Sequence, residues 1–154
     1  MVKPRKETLE IDLRRVSYDD WLASQLWNAS VDWSARERCI REIPNLYEKL
    51  FGPEFNSDGI AWMLWDRLTF RYDSGTRRPD VSEEDRRVQA VMLECLRTQL
   101  MRSKSEMGQR AALHGLFHIK HPQAMRLVRT YLEARHPQQW LRNYAEQILR
   151  GEAL

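Results

Sequence analysis

Three histidines and an arginine fall on one side of a helical wheel: Arg110, His114, His118 and His121, spaced i, i+4, i+8 and i+11 within GQRAALHGLFHIKHP, residues 108–122. Imidazoles one helical turn apart can bind one cation, or hold and pass protons near neutral pH. A metal site would need a third ligand, for which the sequence offers His121 on the same stripe or Glu94 on the preceding helix. Gly115, however, stands where the HExxH motif of zinc proteases carries its glutamate, and no cysteine pair sits at ligand spacing. The reading preferred from sequence is that these histidines bond neighbouring backbone and fill space between helices. No metal and no cofactor is expected.

Other catalytic constellations are missing. There is no G-x-S-x-G elbow, no phosphate-binding loop and no GxGxxG. Cys39 and Cys95 sit in apolar helical patterns, with nothing beside them to stabilise a thiolate. Paired carboxylates occur at Asp19/Asp20 and at Glu83/Glu84/Asp85, where first turns of helices explain them through capping and the helix dipole. The chain is not expected to be an enzyme.

Charge and aromatic content point to binding instead. Residues 17–70 hold five basic against nine acidic residues, a net −4, and five of the six tryptophans. Residues 71–154 hold fifteen basic against ten acidic residues, a net +5. Tryptophan among carboxylates suits a basic protein partner, the rings anchoring and the charge speeding encounter. The expected docking residues are Asp19, Asp20, Trp27, Asp32, Trp33, Trp65 and Asp66. The arginine-rich second half supports an alternative, a grip on a nucleic-acid backbone, although acids are interspersed and no recognition motif is evident.

These residues must be held by something, and the chain's pattern is helical throughout. With 154 residues, 42% of them hydrophobic and 31% charged, the chain can bury a core without disulfide or metal. Leu9, Ile11 and Leu13 alternate with charges in residues 1–16, predicting a tail or extended segment. Ser17/Asp20, Ser34/Glu37 and Ser82/Asp85 read as capping boxes, and Ser57 as a further cap. Pro44 predicts a kink or restart, and DSGTRRPD (73–80) predicts a loop that subdivides a single domain spanning 17–154. Ala111, Ala112, Leu113, Gly115, Leu116, Phe117 and Ile119 cover most of the wheel of the 108–122 helix, so it should be packed on several sides and ended by His121-Pro122. Gly151 predicts the end of the last helix. The fold class is all-α, a stack of about seven helices.

A weak internal period lies in the second half. Arg110 and Arg142 are 32 residues apart, as are Leu116 and Ile148, while Ala112 and Ala145 are 33 apart. The segments QRAALHGLFHI and LRNYAEQIL resemble the second helix of HEAT-type repeats over roughly residues 83–151. That resemblance implies a stacked, solenoid-like scaffold offering one surface to a partner, with no catalytic residues. ALHGLFHIKHP also resembles a segment of small bacterial helical proteins, some of which look like immunity proteins of toxin systems. The resulting expectation is a non-enzymatic immunity protein blocking a cognate toxin. No apolar run approaches the ~18 residues of a membrane span, and no signal-type segment opens the chain, so a cytoplasmic protein with no membrane partner is expected.

Overall fold

The computed structural model describes residues 21–50, 60–70 and 82–152. The tail, the Ser17/Asp20 and Ser57 caps, Asp19, Asp20 and the 73–80 loop lie outside the described residues. Among those described the fold is all-α: α1 (Trp21–Trp27), α2 (Trp33–Leu50), a 3-10 turn (Ile60–Met63), α3 (Leu64–Leu68), α4 (Glu83–Arg102), α5 (Glu106–His118), α6 (Ala124–Arg135) and α7 (Gln139–Arg150). The described elements share one hydrophobic core.

Apolar residues repeating near 3.6 set the helices, and a side chain caps α2, α4 and α5, whereas α3, α6 and α7 begin without a side-chain cap. In α1, Ala23, Leu26 and Trp27 turn inward, and the Trp27 indole N–H donates to the Leu68 carbonyl at 2.9 Å. Asp32, rather than Ser34, opens α2: its carboxylate accepts from the Ala35 amide at 3.1 Å and from the Ser34 hydroxyl. That helix runs through Pro44 without a restart, its inner face made by Ile40, Ile43 and Tyr47. Pro44 removes one ladder bond, while packing of that face against α4 holds the rest of the helix together. Ser82 caps α4 by accepting from the Asp85 amide at 3.0 Å, as its spacing predicts.

The short segment at Ser103–Ser105 folds α4 back on α5 as a hairpin, and α6 and α7 form a second one. α4 lies against α6 and α5 against α7, so the two hairpins stack. Central α5 also meets α2, the 3-10 turn and α3. Six consecutive residues, Ala111 to Leu116, are buried in consequence. The helix starts two residues earlier than its pattern suggests, because Ser105 caps it, and it stops at His118 instead of His121. Lys120 has φ 52°, a left-handed turn that carries His121-Pro122 off the helical axis. α7 ends as expected, with Gly151 at φ 77° and the Glu152 amide returning to the Gln147 carbonyl at 3.0 Å.

Candidate functional site

The polar edge of α5 is where chemistry-bearing side chains converge. Helical spacing places Arg110, His114 and His118 in line, and three other elements close over them. The His114 ring is only 2% exposed. Its Nδ1 lies 2.7 Å from the Tyr144 hydroxyl of α7, and its ring meets Trp62 of the 3-10 turn edge-on at 4.4 Å. The His118 ring meets His114 at 4.4 Å and 62°. His118 Nδ1 lies 3.2 Å from Asp66 Oδ1 of α3, with those side chains 22% and 15% exposed. One ligand-type atom from each of Asp66, His114 and His118 lies within 4.8 Å of the others. The Arg110 guanidinium stacks over Trp62 at 4.6 Å and over Tyr144 at 5.7 Å.

Gly115 is what lets α3 come this close. A Cβ there would stand 2.7 Å from Trp65 Cβ and 2.5 Å from Leu96 Cδ2. Trp65 is the residue before Asp66, so the missing side chain on α5 brings the carboxylate to the histidines. Trp65 itself is fully buried, and its indole N–H donates to Gln99 Oε1 at 2.9 Å, while Gln99 Nε2 donates to the Gly108 carbonyl at 2.9 Å. Burial pushes the Tyr144 phenol up to about 12 against the pull of Arg110, so it stays protonated beside His114. The cluster can therefore hold a proton or a cation. It contains no serine or cysteine nucleophile. Cys95 and Cys39 are free thiols elsewhere in the helices, and burial raises both, Cys95 to about 11, the opposite of what a nucleophile needs.

Several expected site residues fall elsewhere. Trp27 and Trp65 are buried and do not belong to a docking face; each indole finds an internal acceptor, so nothing holds it at the surface. Asp66 faces His118 instead of joining an acidic patch. Asp32 is exposed but occupied as the cap of α2, and the hydrogen bond from Ser34 leads the effects that lower its pKa. Trp33 is half-buried beneath arginines, Arg87 at 3.9 Å and Arg36 at 5.2 Å, with its side chain hydrogen-bonded to Glu37. His121 has left the stripe; its Nδ1 accepts from the Gln123 amide at 3.2 Å and burial lowers its pKa. Glu94, the other expected third ligand, pairs with Arg41 at 3.0 Å. Of the acids in the first turn of α4, Asp85 is buried and Glu84 pairs with Arg36.

Sequence reasoning missed Trp62 and Tyr144 as partners of the histidines. The second had a signal, since the 32–33-residue period aligns α7 with α5 and sets Tyr144 within about one turn of His114. Among the described residues no helix is long and apolar enough to cross a membrane. No protein-family pattern, curated protein or solved structure matches the chain.

Proposed function

We propose that the chain is a non-enzymatic binding protein, a helical scaffold that docks a protein partner on its outer surface. In its sharpest form it is an immunity protein that occupies the active-site cleft of a cognate toxin. The observation that carries this reading is Trp21, 64% exposed at the head of α1 while Trp27 and Trp65 are driven inside. Burying exposed indole surface in a partner's pocket is favourable, and tryptophan is enriched among the residues that dominate interface energetics. The acidic contribution rests on Asp32 together with Asp19 and Asp20. The protein used as bait in an extract of its source cells should retain one partner, whose toxicity co-expression abolishes. Trp21→Ser should weaken capture at least about tenfold, as expected for an anchoring aromatic. Equal capture by Trp21→Ser and by Asp32→Lys would remove this face from the reading.

A second reading has its own support. The side-by-side helices α4 and α6 expose Arg86, Arg97, Arg102, Arg126, Arg129 and Arg135, and none of these forms an ion pair among the described residues. Arginines tied up in salt bridges would have a structural explanation; these offer guanidinium groups to an anionic polymer. A salt titration of binding to generic duplex separates the two readings. Affinity falling steeply with salt, and lost in Arg126→Glu/Arg129→Glu, favours nucleic acid. No binding at ~50 mM salt excludes phosphate contact as the function.

A further inference from the structure

We infer that Asp66, His114 and His118 form a site for one divalent transition-metal cation of the zinc class, which clamps the short helix α3 to the centre of the fold. The donor set is two imidazoles and a carboxylate, drawn from two elements, with one ligand-type atom of each within 4.8 Å. Imidazole nitrogen selects borderline cations such as zinc, cobalt and nickel over calcium or magnesium, which take oxygen.

Three geometric features suit a cation. First, two ligands of a tetrahedral ion with bonds of about 2.0–2.1 Å stand roughly 3.3 Å apart. His118 Nδ1 and Asp66 Oδ1 are already 3.2 Å apart. Second, the His114 ring is oriented from behind. Its Nδ1 meets the Tyr144 hydroxyl at 2.7 Å, so the nitrogen it would offer a metal is Nε2. A partner on the far nitrogen, holding the ring angle, is the usual support of a metal-bound histidine, and coordination through Nε2 requires the His114 proton to sit on Nδ1. Third, the two imidazoles meet edge to face at 62°, not stacked flat, and Trp62 walls one side of His114. The Trp62 ring gives the site an apolar wall.

Opposing the site is Arg110, whose positive charge lies over Trp62 and Tyr144. Only one carboxylate offsets it, which limits affinity without preventing coordination by neutral nitrogens. His118 and Asp66 are partly exposed whereas His114 is not, so the ion enters past the former two and takes a water as its fourth ligand. Its role is mechanical. α3 has five residues, too few to be a stable helix alone, and a bond from Asp66 through the ion to α5 ties it down.

The test uses the full chain, stripped with a chelator and titrated with Zn²⁺ and with Co²⁺. One equivalent should bind below about 10 µM, and Co²⁺ should give visible bands of tetrahedral intensity. Asp66→Asn and His118→Gln should each weaken binding at least about tenfold. His121→Gln and His136→Gln should stay within about twofold of the parent, as ring nitrogens outside the site. Because a change at His118 can harm folding, imidazole NMR signals of the unmodified chain supply a second readout. Zinc should shift His114 and His118 and leave His136 in place. Absence of saturable binding, full affinity in folded Asp66→Asn, or shifts confined to His121 and His136 would each overturn the assignment.

Discussion

Replacing Gly115 by alanine tests the packing on which the histidine cluster depends. In an ordinary buried helix this change stabilises by about 1 kcal/mol, because glycine loses more backbone freedom on folding. Here the added methyl would lie 2.5 Å from Leu96 Cδ2, 2.7 Å from Trp65 Cβ and 3.1 Å from Trp65 Cγ. Carbon atoms prefer about 3.5–4.0 Å, so both neighbours must retreat by roughly 1 Å. Leu96 can change rotamer, but Trp65 Cβ moves only with the backbone of α3. Overpacking costs about 1–3 kcal/mol, and two contacts of this depth put the cost near the top of that range. The net is a destabilisation of about 2 kcal/mol, or a melting temperature lower by about 4–8 °C for a chain of this size. Thermal unfolding followed by circular dichroism measures it directly. Adding Leu96→Val removes the nearest clash atom and should restore part of the loss, leaving the Trp65 share in place. A melting temperature at or above the parent's in Gly115→Ala would show that α3 does not sit against Gly115, and the placement of Asp66 beside His118 would fall with it.

Further outcomes follow from other contacts. Gln99→Met keeps the volume but leaves the buried Trp65 indole without its acceptor, so the urea midpoint should fall by an amount worth about 2–3 kcal/mol with an unchanged slope; an unchanged midpoint would contradict the buried bond. Ser82→Ala should cost about 1 kcal/mol by uncapping α4, whereas Ser82→Asp should be nearly neutral, and equal losses in both would refute the cap. At high pH the phenols of Tyr131 and Tyr144 stay protonated in the fold to about 12 but ionise near 10 when unfolded. The unfolded state then releases protons first, so stability should be complete below pH ~10 and decline between 10 and 12. A denaturation midpoint flat across that window, or a Tyr144→Phe variant with the same decline, would refute the burial of these groups.

Helical class, the position of the central helix and the Ser82 and Gly151 boundaries were legible from local order. Capping residues act within a turn of themselves, and an apolar stripe reports which face of a helix must be covered. The breadth of the apolar arc around Leu113 and Leu116 further required several neighbours, and α5 has them. Where local rules failed, a competing local interaction had won: Asp32 outbid Ser34 as the cap of α2, and the left-handed turn at Lys120 ended α5 before His121 could join the stripe.

What the one-dimensional pattern determined, then, was the set of helices and the existence of a polar edge formed by Arg110, His114 and His118. What only the tertiary structure decided was which groups meet that edge. Asp66 lies 52 residues from His118 along the chain and reads as one more acid among tryptophans until Gly115 admits α3. Trp27 and Trp65 read as anchors until Leu68 and Gln99 supply acceptors from elsewhere in the fold. Periodicity tells a side chain whether to face inward, because that depends on its own neighbours in sequence. Its partner is chosen by three-dimensional closeness between distant segments, and nothing in local spacing encodes that distance.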